Sequence, residues 1–181
     1  RIRLEASRLQ CLIDDIMRLS EIEDGSNPGE WENVPLMDVA KETVETLSIE
    51  AQENGVAISC GGEPLTVDAN RHMMEELMTN LLSNAVKYNR PGGTAHINVE
   101  KRGEMAAIMV SDTGIGIPSE HQSRVFERFY RVDKSRSKQT GGTGLGLSIV
   151  KHGAAYLGAG VSVHSEPGQG SEFILAWRGK K

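Results

Sequence analysis

Aromatic side chains are scarce in this chain of 181 residues: three Phe, three Tyr and two Trp make up 4% of it. With a net charge of −5 and so few stacking groups, the composition does not suit a nucleic-acid binder. Cysteine is nearly absent. Cys11 and Cys60 stand far apart and form no CxxC or Cys/His spacing, so they read as reduced thiols. The five histidines (His72, His96, His121, His152 and His164) share no paired ligand spacing, which argues against zinc. No run of about 18 apolar residues occurs, so no segment is expected to cross or directly contact a membrane. There is no signal peptide, and the chain begins Arg1-Ile2-Arg3 without Met. The expectation is a cytoplasmic part of something longer. What is present is ordinary: 38% hydrophobic and 25% charged residues, enough for one domain with a core and a short appendage.

Residues 1–24 read as one helix. Ile2, Leu9 and Ile16 fall seven apart, Leu12 and Leu19 occupy the alternate register with Glu5, and Ala6 and Ile13 widen the stripe. That spacing suits a bundle seam with a partner helix, or an amphipathic helix folded back on its own domain. Asp24-Gly25-Ser26-Asn27-Pro28-Gly29 stops that helix, and residues 25–30 read as a linker. From Trp31 onward the pattern predicts a short strand to Leu36, a helix from Met37 to Asn54, strands at Val56–Cys60 and Leu65–Val67, and a helix from Arg71 to Tyr88. A hairpin follows at Thr94–Val99 and Met105–Ser111, with Gly103 in its turn. The span from Asp112 to Gly142 is long and basic, Gly144–Leu157 is helical, and Val161–His164 with Glu172–Trp177 closes the chain as a hairpin. Helices and strands do not strictly alternate, so the expected class is α+β: a mixed β-sheet covered by helices, preceded by one long N-terminal helix.

Three segments carry chemistry. On the helix before Tyr88, Glu76, Asn80, Asn84 and Lys87 share one face, while Leu77, Leu81, Leu82 and Ala85 share the other. Two amide oxygens one turn apart suit a hard cation that is also held by phosphate. Lys87 could reach a phosphate; a solvated polar face is the plainer alternative. Next, a strand ends in Asp112, followed by Gly114 and Gly116. Glycine lets backbone approach a planar ligand, and a buried carboxylate accepts from an exocyclic amine. Taken alone, D-x-G-x-G is also an ordinary strand-end turn. Third, Gly141-Gly142-Thr143-Gly144-Leu145-Gly146 opens a helix, whose free N–H groups attract an anion. It is not a Walker A loop, because the required Lys is Leu147, and it lacks the third glycine of a dinucleotide fingerprint.

Charge supports the anion reading. Arg124, Arg128, Arg131, Lys134, Arg136 and Lys138 are opposed in their segment only by Glu127 and Asp133, whereas residues 1–50 hold five basic and twelve acidic side chains. A basic segment directly before a glycine-rich helix start suits a triphosphate.

Together the segments resemble the boxes of bacterial sensor histidine kinases. Asn80-Leu-Leu-Ser-Asn84-Ala-Val-Lys87-Tyr88 is similar to the N box and Asp112-Thr-Gly114-Ile-Gly116 to the G1 box. Phe126-Glu-Arg-Phe129-Tyr130 is similar to the F box and Gly142-Thr-Gly144-Leu-Gly146-Leu to the G2 box, all in the family's order. The resemblance implies a Bergerat-type two-layer α/β sandwich over residues 31–181 that binds ATP with Mg²⁺, and a lid between the F and G2 boxes. Residues 1–24 resemble the second helix of the dimerisation and phosphoacceptor hairpin. No histidine here has the acceptor's sequence context, so the missing acceptor helix with its histidine, a response-regulator receiver domain and a second copy in the full-length protein are the implied partners. The parent is expected to be anchored in the bacterial membrane.

Carried over by resemblance, Asp112 would bind the adenine amine, and Gly114 and Gly116 would admit the base. Asn84 with Asn80 would hold Mg²⁺, Lys87 would touch phosphate, and Tyr88 would pack on adenine or ribose. Lys134 or Arg136 would meet the γ-phosphate, and the N–H groups of Gly142, Thr143, Gly144, Leu145 and Gly146 would cover the phosphates. Glu76 could assist as a base. A nucleotide-sensing module without transfer activity and an anti-sigma serine kinase on the same fold are the competing readings.

Overall fold

The protein is described by a computed structural model that covers residues 2–25, 29–132 and 142–178. Helix α1 (Ile2–Asp24) stands first, followed by β1 (Trp31–Pro35), α2 (Leu36–Glu53), β2 (Ala57–Gly62), β3 (Thr66–Asn70) and α3 (Arg71–Lys87). The hairpin β4 (Thr94–Arg102) and β5 (Met105–Asp112) comes next. A single-turn helix α4 (Ser119–Gln122), helix α5 (Gly146–Tyr156) and the hairpin β6 (Gly160–Glu166) with β7 (Gly170–Arg178) complete the chain.

Five strands form one mixed sheet in the order β2-β4-β5-β7-β6, in which only β2 and β4 run parallel. Alternation decides its faces: Ala95, Ile97 and Val99 of β4 and Ile108 and Val110 of β5 are buried beneath the helices, while His96, Asn98 and Glu100 point the other way. Helices α2, α3 and α5 cover the buried face, with α3 between the other two. This is the two-layer sandwich that the resemblance implies. Strands β1 and β3 pair instead as a separate antiparallel ribbon, Val34 opposite Val67. Among the described residues, no helix is long and apolar enough to cross a membrane.

Helix α3 is set by its ends and its stripe. The Asn70 side chain caps it by accepting the Met73 N–H at 2.8 Å. Met73, Met74, Leu77, Met78, Leu81, Leu82, Ala85 and Val86 bury one face, which leaves Glu76, Asn80 and Asn84 on the opposite side. Helix α5 lies close against it because Gly153 carries no side chain. A Cβ there would stand 2.7 Å from both Leu77 Cδ2 and Met73 Sδ. That close approach brings the start of α5 alongside Asn80.

Helix α1 packs on α5 through Leu19, 3% exposed, and Ile22, with Leu12 half-buried. The register of Leu9 and Ile16 is left in solvent, with Ile13 and Met17 beside it: all four are exposed. Of the two arrangements the sequence allows, the helix folds back on the domain through part of its stripe and leaves the rest exposed.

Candidate functional site

A cavity of about 360 Å³ opens between α3, the loop after β5, the segment around α4 and the start of α5. Its walls are mostly apolar, from Ile115, Ile117, Val125, Leu147, Pro167 and Phe173. A few polar groups interrupt them: Asn84 and Tyr88 from α3 and its cap, Asp112 at the end of β5, and Tyr130, Arg131 and Ser171. An apolar slot with few convergent polar groups suits a planar organic ligand.

Asp112 is the half-buried carboxylate of this slot. Burial pushes its carboxyl above the usual carboxylate range, and hydrogen bonds from the backbone N–H groups of Gly114 and Ser171 pull it part of the way back. The Gly114 N–H donates to Asp112 Oδ1 at 2.8 Å. The glycines nearby have a reason beyond ligand approach. A Cβ at Gly114 would collide with the Tyr88 carbonyl oxygen, and one at Gly116, whose φ is +69°, with that of Glu166. Gly170 must likewise stay bare, because β7 begins directly over the Asp112 carbonyl. The backbone around Asp112 is thus packed closely enough that none of these three glycines could carry a side chain without moving a carbonyl.

Asn84 lines the same cavity, and its amide has no hydrogen-bond partner among the described residues. Asn80 sits one turn earlier. Its Nδ2 donates to the Glu76 carbonyl at 3.1 Å, so its Oδ1 turns toward α5, where a Cβ at Gly146 would lie 3.1 Å from it. Helix α5 begins at Gly146, two residues later than the sequence pattern suggests, and no side chain caps it. Its first N–H groups therefore remain available to an anion. Leu145 is wholly buried, and its N–H is already donated to Thr143 Oγ1 at 3.2 Å. Among the described residues, no three His, Cys, Asp or Glu side chains are placed to hold a metal. A cation here would rest on the two amides and on phosphate, which is the ligand-poor setting Mg²⁺ accepts.

Other candidates stand apart from the slot. Lys87 does not line it; its ammonium lies 3.7 Å from Glu50 on α2. Glu76 is held at 2.7 Å by Arg18 of α1, and Thr143 donates to Asp15 of the same helix at 2.6 Å. Glu23 further along α1 pairs with Arg128 and lies 3.4 Å from His152. Helix α1 thus touches the N-box helix, the F box and the glycine-rich turn. Lys134, Arg136 and most of the expected lid lie outside the described residues.

Sequence reasoning missed the contribution of the segment before that gap. Phe129 has a φ of +60°, uncommon for a bulky residue, and its N–H donates to the Gly144 carbonyl at 3.0 Å. Arg131 donates to the Gly142 carbonyl. Tyr130, between them, accepts Arg124 over its ring at 4.4 Å and meets His121 Nδ1 through its hydroxyl at 2.5 Å. Phe129 and Arg131 thus fasten the F box to the glycine-rich turn, and Tyr130 becomes a wall of the cavity. No local pattern announces the Phe129 and Arg131 contacts, because each joins this segment to a residue more than ten positions later in the chain.

Residues 69–180 match the family described as histidine kinase-, DNA gyrase B-, and HSP90-like ATPases. The chain belongs to that family. It is 37% identical over 173 residues to the sensor-like histidine kinase SenX3 of Mycolicibacterium smegmatis, covering 95% of this chain and 45% of the relative. The sensor histidine kinase YkoH of Bacillus subtilis is 36% identical over 174 residues, covering 96% of this chain and 37% of that protein. The chain therefore spans less than half the length of these relatives. Among solved structures, full-length ShkA in complex with AMPPNP superposes with a TM-score of 0.85 at 26% identity, over 97% of this chain and 37% of that one. The mycobacterial sensor histidine kinase MprB gives 0.72 at 25% identity, over 83% of this chain and 99% of that one. The chain is homologous to the ATP-binding catalytic domains of sensor histidine kinases, and its fold class matches theirs.

Proposed function

We propose that this chain binds Mg-ATP in the slot between α3, the Asp112 loop and the start of α5, and donates the γ-phosphoryl group to a histidine on a separate helix. From there the group would pass to an aspartate of a response-regulator receiver domain. The carrying observation is Asp112, a half-buried carboxylate in a mostly apolar slot that Asn84 also lines, its amide without a hydrogen-bond partner among the described residues. A carboxylate there accepts from the 6-amino group of adenine and repels the O6 of guanine. Asn84 and Asn80 would hold Mg²⁺, which supplies charge neutralisation between the phosphates. The uncapped N-terminus of α5 at Gly146, with Gly142, Thr143 and Gly144 before it, would face the phosphates. Tyr88 would lie along the base or ribose.

In the transfer step the bond from the γ-phosphorus to the bridging oxygen breaks, a P–N bond to the imidazole forms, and the imidazole loses its N–H proton. Catalysis is positioning plus charge stabilisation. Glu76 would serve as a base only after release from Arg18. Lys87 would reach phosphate only by leaving Glu50, and Lys134 or Arg136 would complete the γ-phosphate contacts. In the same reading, residues 1–24 are the second helix of the hairpin, 25–30 a linker and 31–181 the ATP domain. The full-length protein would then be a homodimer, membrane-anchored, with this part in the cytoplasm.

Supplying the acceptor helix in trans with Mg-ATP should give acid-labile, base-stable phosphohistidine. Calorimetry should show Mg-ATP bound in preference to Mg-GTP, with the preference lost in Asp112→Asn. Equal affinity for both nucleotides in the parent chain would refute the adenine assignment.

A further inference from the structure

One side chain outside the cavity holds the loop that carries Asp112. Arg90 follows α3 in the turn that leads to β4. Its Nε donates to the Thr113 carbonyl and its Nη2 to the Gly168 carbonyl, both at 2.9 Å. Those carbonyls belong to separate segments, the loop after β5 and the turn between β6 and β7. The peptide between them is tied on its other sides too. Thr113 donates its N–H to the Thr94 carbonyl at 3.1 Å and accepts the Thr94 N–H on Oγ1 at 2.9 Å. Ile115 donates to the Tyr88 carbonyl at 3.0 Å and accepts the Gly168 N–H at 2.8 Å. Arg90 is the charged member of this ring, and it does not line the cavity.

We propose that Arg90 is a positioning residue for adenine recognition: it touches no ligand atom, but holds the Thr113 and Gly168 peptides so that the Asp112 carboxylate stays aimed into the slot. The proposal rests on the reading of Asp112 as the contact to the adenine amine. The geometry is specific to a guanidinium, which presents Nε and Nη2 as one planar fork to two acceptors; a lysine ammonium is a single point. The consequence is selective. A hydrogen bond to an amine is directional and weakens steeply when the acceptor swings out of line. Apolar contact of the ring with Ile115, Ile117 and Phe173 is not directional. Loss of Arg90 therefore penalises ligands that carry the 6-amino group and spares those that lack it.

The test is calorimetry of Mg-ATP and of Mg-purine riboside triphosphate, which lacks the amine, on the parent chain and on Arg90→Ala, Arg90→Lys and Asp112→Asn. Arg90→Ala is expected to weaken Mg-ATP about tenfold, or about 1.4 kcal/mol, and the amine-free analogue by less than about twofold on the same scale. Arg90→Lys should fall between. An equal loss for both nucleotides, or no loss for ATP, would overturn the role given to Arg90. Asp112→Asn separates the two ideas. If it leaves the preference for ATP over the analogue intact, the Asp112 reading fails and the role of Arg90 fails with it. If it removes the preference while Arg90→Ala keeps it, only Arg90 is wrong.

Discussion

Arg18 and Glu76 offer the sharpest test of how α1 sits on the ATP domain. Their side chains are only 17% and 18% exposed, and Arg18 Nε donates to Glu76 Oε2 at 2.7 Å. Burial works against the Arg18 charge, but the hydrogen bonds and fields of Glu76 and then Glu21 outweigh it and hold its pKa above the ordinary value. The two single substitutions are not equivalent. Arg18→Ala leaves the Glu76 carboxylate shielded from water and without its cation, at a cost of about 2 kcal/mol. Glu76→Gln leaves Arg18 with Glu21 at 3.1 Å, an exposed partner one turn away, so it should cost only about 1 kcal/mol. The coupling in the double-mutant cycle should be about 1–2 kcal/mol, above the range for exposed pairs because neither side chain is open to solvent.

Thermal or urea unfolding of the parent, both single variants and the double variant at low ionic strength measures that coupling. Raising the salt should shrink it only in part, because screening acts weakly on a shielded pair. A coupling below about 0.3 kcal/mol, with both single substitutions neutral, is what exposed or unformed pairs give. That result would mean α1 does not rest on α3 in solution, and the contacts of Asp15 and Glu23 would fall with it.

Three further outcomes follow from the same geometry. Asp15 places a carboxylate at Thr143, where a phosphate would lie, so Asp15→Asn is expected to tighten Mg-ATP several-fold in calorimetry, about 1 kcal/mol; unchanged or weaker binding would contradict it. Gly116→Ala should lower stability by about 2–4 kcal/mol through a collision with the Glu166 carbonyl and a positive φ. Gly168→Ala has a φ of +80° but open space around it, so it should cost only about 1 kcal/mol; equal losses in melting experiments would undo this reasoning. Burial raises the Asp112 carboxyl above its ordinary 3.8, so the empty fold holds more protons than the unfolded chain and loses stability as pH rises through that window. An amine donor favours the carboxylate, so Mg-ATP binding within the window should release a proton and strengthen with pH. Calorimetry in buffers of different ionisation heat reads this directly, with Asp112→Asn subtracting the titration of the nucleotide. No difference between the two proteins would remove Asp112 from the site.

How far the sequence could be read depended on whether the determining contacts were local. Helix α3 was legible because its stripe repeats every three to four residues and its polar face carries Asn80 and Asn84 at one-turn spacing. The β4–β5 and β6–β7 hairpins were legible because alternation and turn glycines are also short-range signals. Asp112 and the glycine-rich turn stood out for the same reason. The pairing of Lys87 with Glu50, and of Glu76 with Arg18, spans whole elements and leaves no periodic trace. The ribbon of β1 with β3 is another case: Val34 and Val67 meet only because α2 and β2 intervene and return the chain. Arg90 was the least visible. A lone arginine after Tyr88-Asn89 reads as surface charge, and its meaning comes from two carbonyls that the folded loops bring together. Gly114 and Gly116 were singled out for close approach to a ligand, yet a ligand is not required to explain them, since backbone carbonyls already fill the space a side chain would need.

The division of α1 into two registers carries the argument one step further. Leu19 and Ile22 are used up against α5, and Asp15, Arg18 and Glu23 flank them with polar contacts to the ATP domain. Leu9, Ile13, Ile16 and Met17 stay exposed. Burying an apolar side chain of that size is worth about 1.5–3 kcal/mol, so a partner for the open face would gain several times what the Arg18–Glu76 pair contributes. A helix that pairs through one register and docks through the other transmits any roll about its axis from one interface to the other. A rotation that improved packing along Leu9 and Ile16 would, under the proposed function, draw on the contacts of Asp15 with Thr143 and of Arg18 with Glu76. Under the proposed function, the helix that completes the bundle would therefore set how freely the nucleotide site can act. The physical link would be the two rigid turns from Leu12 to Leu19.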